Sequence, residues 1–87
     1  MNKLTIGSKL VVYSITSHDG LMKSSGIFQG FVAVGEDTSL CLELNESHGK
    51  LKGKTRLIPL SSIAAIDVIE FAEEKEEEDE GEKLYYS

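Results

Sequence analysis

Between residues 10 and 69 the apolar side chains come in runs of strand length, each broken off by glycine or by small polar residues. Such punctuation suits short strands joined by turns, since a typical strand needs only about five or six residues. Residues 10–15 are rich in Val, Tyr and Ile and end at Thr16-Ser17-His18-Asp19-Gly20, where Asp-Gly supplies the positive φ of a tight turn. Residues 26–34 alternate, with Phe28, Gly30, Val32 and Val34 toward one side and Ile27, Gln29, Phe31 and Ala33 toward the other. Both sets are largely apolar, which predicts a strand covered on two faces. Gly30 inside it marks a bulge, a bend or a close backbone approach. Beyond the turn Gly35-Glu36-Asp37-Thr38, Leu40, Leu42 and Leu44 point one way and Cys41 and Glu43 the other, the cleanest period of two in the chain.

Residues 45–54 hold Gly49, Gly53 and three lysines around His48, and read as a long basic hairpin loop. Residues 55–60 resume a strand, with Pro59 confined to its end, an edge or a bulge because it has no N–H to give a ladder. Ser61-Ser62 reads as a tight turn or one turn of helix, with either serine as its N-cap. Residues 63–71 read two ways: a strand puts Ile66 and Val68 on one face and Ala65, Ile69 and Phe71 on the other, whereas a helix stacks Ile63, Ile66 and Glu70. The β-branched side chains within residues 66–69 favour the strand. The expected fold class is β-rich, a single small domain of about five antiparallel strands curled on themselves, with α+β as the alternative if residues 63–74 coil into a helix.

The 87-residue chain carries a net charge of −6 that is unevenly spread. Residues 1–69 hold seven basic groups against six acidic ones and stand at +1, while residues 70–87 hold nine acids against Lys75 and Lys83 and stand at −7. The expected organisation is therefore a nearly neutral β-rich domain over residues 1–69 and an acidic C-terminal segment over residues 70–87. A run of like charge repels itself and offers nothing to bury, so the segment is expected to be disordered, or helical because Glu and Lys are good helix formers and Asp79 and Lys83 are four apart. Leu84, Tyr85 and Tyr86 end it with apolar surface able to dock on a groove or a sheet edge.

Cys41 is the only cysteine, so no disulfide can close within the chain, and a reducing, cytoplasmic setting is expected. No signal-peptide pattern precedes Lys9, and no apolar run approaches the roughly eighteen residues of a membrane span. A domain this small has a thin core, which makes a partner or self-association attractive.

Catalytic chemistry finds little support. A nucleophile needs a base oriented by a third group, yet the two histidines, His18 and His48, fall in expected turns and read as ordinary loop side chains, and Cys41 reads as a small strand residue. One cysteine and two dispersed histidines give no closely spaced zinc ligands. Gly49 to Thr55 contains Gly-Lys-Thr without the glycine spacing of a phosphate-binding loop. The expectation is a protein without enzymatic activity.

Two binding readings remain. Calcium takes about six to eight oxygen ligands in adaptable geometry, and the carboxylates of Glu70, Glu73, Glu74, Glu76, Glu77, Glu78, Asp79 and Glu80, joined by Glu36 and Asp37 if the tail packs on that turn, form the candidate divalent-cation site. No EF-hand pattern accompanies them. Lys50, Lys52, Lys54 and Arg56 form a candidate phosphate-facing patch for nucleic acid, although no aromatic side chain for stacking bases lies close to them in sequence. The tail could equally fold back onto that basic loop or engage a protein partner.

Gly7-Ser8-Lys9-Leu10-Val11-Val12, Gly20, Gly26-Ile27-Phe28-Gln29-Gly30-Phe31-Val32, Glu36-Asp37, Leu40-Cys41-Leu42 and Ile58-Pro59-Leu60-Ser61-Ser62-Ile63 follow one another in an order that resembles the Sm-like (LSm) family. The resemblance implies a strongly bent five-stranded antiparallel barrel of Sm/SH3 type and often a ring of subunits joined through edge strands, hence a homo-oligomer and an association with RNA. Glu36 or Asp37 can stand for the family's acidic turn residue. Ser39 falls where an Asn is expected and Leu60-Ser61 where an Arg-Gly pair is expected, which argues against the usual uridine pocket. Little room remains before Gly7 for the family's N-terminal helix.

Overall fold

The structure, a computed structural model, describes residues 3–73. Five strands form one antiparallel sheet: β1 (Lys9–Ile15), β2 (Leu21–Val34), β3 (Asp37–Leu44), β4 (Thr55–Pro59) and β5 (Ile63–Glu70), in the spatial order β4-β3-β2-β1-β5. Two 3-10 helices, Glu46–Leu51 and Leu60–Ser62, are the only helical pieces among the described residues. None is long and apolar enough to cross a membrane. Residues 63–70 are thus a strand, as the β-branched run predicts, and the α+β alternative falls away for the described residues. The acidic segment from Glu74 onward, expected to be helical or disordered, and the terminal Leu84, Tyr85 and Tyr86 lie outside them.

The strands alternate as their side chains require. Leu10 and Val12 of β1, Phe28 of β2, Leu40, Leu42 and Leu44 of β3 and Ile58 of β4 are buried in one core, with Leu4, Ile63, Ile66 and Val68 packed against it. Curvature of the sheet follows from chain length. Neighbouring strands lie about 4.8 Å apart, so a flat sheet in this order would hold β4 and β5 roughly 19 Å from each other. Only Leu60–Ser62 separates Pro59 from Ile63, and four Cα steps span at most about 15 Å. The sheet must curl to bring its edges within that reach. It does not close: β4 pairs only with β3 and β5 only with β1, which corrects the expectation of a barrel. A β4 of five residues ending in Pro59, which has no N–H to donate, offers little ladder to complete the circle.

Of the bulge, bend or close approach that Gly30 could mark, the structure shows a bulge. The β2–β3 register runs Phe28↔Leu42 and then Gly30↔Cys41, leaving Gln29 as the extra residue, and Gly30 takes φ 104°, a conformation other residues rarely adopt. Gln29 Nε2 donates to Glu43 Oε1 across the bulge at 3.0 Å. The bulge also breaks the alternation on which the two-faced reading of residues 26–34 rests. The extra residue returns Phe31 to the side of Phe28, and the two rings meet edge to face at 5.2 Å. From Phe31 to Val34 the strand projects beyond the core with its side chains exposed, which corrects the expectation of cover on both faces.

Smaller differences have equally local causes. The positive φ of the β1–β2 turn belongs to Asp19, at 62°, while Thr16 Oγ1 accepts the Gly20 N–H and Gly20 O accepts the Thr16 N–H. The helix Leu60–Ser62 has Pro59 at its N-cap without a side-chain cap; Ser62 Oγ donates back to Pro59 O at 2.9 Å, so neither serine caps it. The N-terminal segment fastens the end of the sheet. Ser8, fully buried, accepts the Ala72 N–H on its Oγ at 3.0 Å, and Thr5 Oγ1 donates to Ala72 O at 2.6 Å. Both backbone polar groups of Ala72 are thereby satisfied, which fixes where the acidic segment leaves the sheet.

Candidate functional site

The segment between β3 and β4 is folded rather than loose. Leu44 and Lys54 close it, with Leu44 N donating to Lys54 O at 2.9 Å and Gly53 N donating to Leu44 O at 2.8 Å. Asn45 caps the helix Glu46–Leu51, its Oδ1 accepting from Ser47 N at 3.0 Å and from Ser47 Oγ at 2.7 Å. Asparagine at the cap with Glu46 in the first turn is a recognised helix start, and this was the sequence signal for structure in a stretch that otherwise reads as loop.

That helix covers an edge of β2. Ser25 lies just beyond the last β3 partner, Gly26↔Leu44, and turns its backbone toward a strand that has ended. Its carbonyl accepts the Asn45 N–H at 3.0 Å, and its N–H donates to His48 Nε2 at 2.9 Å. His48 is therefore half-buried and structurally engaged, not the ordinary loop side chain its position suggests. Because Nε2 accepts, the neutral ring must carry its proton on Nδ1. His48→Ala should leave the Ser25 amide without its acceptor, costing about 1–2 kcal/mol, and speed hydrogen exchange at Ser25 well beyond the global change; His48→Gln, which retains an acceptor, should recover part of the protection.

Around this joint lies a cleft of about 320 Å³ lined by Lys23, Ser25, Ser47 and His48. Lys50, Lys52 and Lys54 are all exposed on the neighbouring segment. Arg56 is placed differently from these lysines: partly buried on β4, it donates from Nη1 to Oγ of the fully buried Ser24 at 2.7 Å. Among the described residues no carboxylate pairs with it. A second cleft, about 380 Å³, lies between β1, β2 and the capped turn, with Lys9, Ile27, Asn45, Glu46 and Ile69 in its lining.

The candidate cation ligands are dispersed where they can be followed. Glu36 and Asp37 sit at the turn between β2 and β3, exposed at the far end of the projecting hairpin. Glu70 ends β5 opposite Lys9, whose Nζ lies 3.4 Å from Glu70 Oε1. Lys9 also pairs with Ile27 of β2, eight residues before Gly35, so roughly 25 Å of strand separates the two groups at about 3.3 Å per residue. Glu73 is exposed just past Ala72. Among the described residues no three acidic, histidine or cysteine side chains gather as a metal cluster. Glu74, Glu76, Glu77, Glu78, Asp79 and Glu80 lie outside the described residues.

No protein-family model, no curated protein and no solved structure matches the chain.

Proposed function

We propose that this protein is a non-enzymatic binding module that works as a homo-oligomer, assembled edge to edge through β4 of one copy and β5 of the next. The observation that carries the reading is the pair of unpaired edges on one curled sheet. Each edge has exposed apolar side chains beside it, Leu57 and Leu60 at β4 and Ile69 and Phe71 at β5. Seven large apolar side chains are buried among the described residues against twelve that are exposed, so a lone copy leaves more outside than it encloses. An open edge is a template for another strand. Joining unlike edges is a head-to-tail contact, which closes into a ring if the rotation permits. The β1–β5 register slips beside Leu10 and Tyr13, leaving Ile69 and Ala64 without opposite partners. Such bulges bend the edge and restrict the registers a neighbour can adopt, favouring a defined contact over open stacking.

The sequence likeness to Sm-like proteins supports the same reading, with RNA as the ligand such an assembly would carry and Lys50, Lys52 and Lys54 as its basic surface. The lone Cys41 thiol suits the cytoplasm as the compartment. Light scattering on the eluting native protein should give a multiple of the monomer mass. Leu57→Lys and Ile69→Lys, at positions 47% and 64% exposed, should each dissociate the assembly while leaving the strand signature intact. A strictly monomeric native protein at high micromolar concentration would refute the reading.

A further inference from the structure

We infer that the cleft between β2 and the helix Glu46–Leu51, lined by Lys23, Ser25, Ser47 and His48, is an oxyanion site that takes a phosphate group. Its chemistry follows from the backbone joint beneath it. The Ser25 N–H occupies His48 Nε2, which leaves Nδ1 as the protonated, donating nitrogen of the ring, with no acceptor among the described residues. Lys23 brings an ammonium from the same face of β2 as Ser25, two positions along the strand. The Ser25 hydroxyl can donate as well. Ser47 Oγ now donates to Asn45 Oδ1 and can turn to a ligand while the Ser47 N–H keeps the cap in place.

No carboxylate lines the cleft among the described residues. A lining that offers donors and a cation without a counter-charge is complementary to an anion with several acceptor oxygens, which describes phosphate better than a cation or an apolar ligand. The volume of about 320 Å³ admits a phosphate with several waters, each of which occupies about 30 Å³. Lys50, Lys52 and Lys54 nearby add a positive field that draws anions toward the opening. The phosphate could be a free ion or part of a single-stranded RNA backbone. Its recognition does not depend on subunit assembly.

The test is titration of the isotopically labelled full chain with inorganic phosphate in one arm and a short single-stranded RNA in the other, at low and constant ionic strength. The expected result is a saturable amide shift centred on Lys23, Ser25, Ser47 and His48. Matched sodium chloride should not reproduce it. Lys23→Gln should weaken binding about tenfold, the loss expected for one charge-assisted hydrogen bond, whereas Lys9→Gln, outside the cleft and beside Glu70, should change it by less than about threefold. Saturation by phosphate without RNA binding identifies a free-ion site; saturation by both identifies a backbone site. Absence of a saturable shift in both arms, or an unchanged affinity in Lys23→Gln, would overturn the inference.

Discussion

Gly26→Ala should prevent this protein from folding, or destabilise it by at least about 3 kcal/mol. Gly26 is buried between two ladders, opposite Leu10 of β1 and Leu44 of β3. A methyl group there would fall onto the Glu43 carbonyl oxygen, 2.7 Å from the carbonyl carbon and 3.1 Å from Leu44 Cα. These are backbone atoms of the next strand, held by hydrogen bonds, so no side-chain rotation relieves the overlap. The smallest possible side chain would have to drive β2 and β3 apart at the Gly26↔Leu44 pair. Urea unfolding of Gly26→Ala beside Gly35→Ala separates this effect from ordinary glycine preference. Gly35 has a left-handed φ of 63° but nothing within 4 Å of its missing methyl, and should lose only about 1–2 kcal/mol. Equal losses at both positions would show that the strands tolerate the contact.

Phe28→Ala is the second large effect, at about 3–5 kcal/mol. Its ring is 2% exposed and among the largest fully buried side chains, in a core shared, among the described residues, with six other buried apolar residues. A core this small has few neighbours able to move into the void, so the penalty should fall toward the upper end. Phe31→Ala, which removes the ring touching it edge to face but is 56% exposed, should cost less than about 1.5 kcal/mol. Thermal unfolding of the two variants should therefore give widely separated midpoints although the rings are in contact. Near-equal midpoints would mean that the projecting hairpin is covered in solution, a result that would itself support assembly.

Much of the architecture is legible in the residues. Leu40, Leu42 and Leu44 announce their strand by strict alternation, Gly30 announces a bulge, a bend or a close approach, and Pro59 announces a strand end, an edge or a bulge, because each is a local constraint acting through neighbouring backbone. Strands β1 and β5 follow from β-branched composition for the same reason. The site was less legible. Lys50, Lys52 and Lys54 read from the sequence as exposed charge, but Lys23, Ser25 and Ser47 carry no sequence signal, and His48 reads as an ordinary loop side chain. Their meeting depends on a backbone group that loses its strand partner at Gly26, a circumstance set by where β3 ends. Arg56 stood with the lysines in sequence yet bonds to buried Ser24, since its place on β4 turns it to the same side as Ile58.

The sequence by itself determined that strands form, where they turn and that charge is concentrated beyond residue 69, because periodicity, glycine placement and charge count are properties of neighbours along the chain. Only the tertiary structure decided that the sheet remains open, that Phe28 and Phe31 meet, and that Ser8, Ser24 and His48 are engaged in hydrogen bonds. Those outcomes depend on how far a curled sheet carries β4 toward β5 and on which backbone groups lose a partner when a strand stops. Distances of that kind are set by all five strands together.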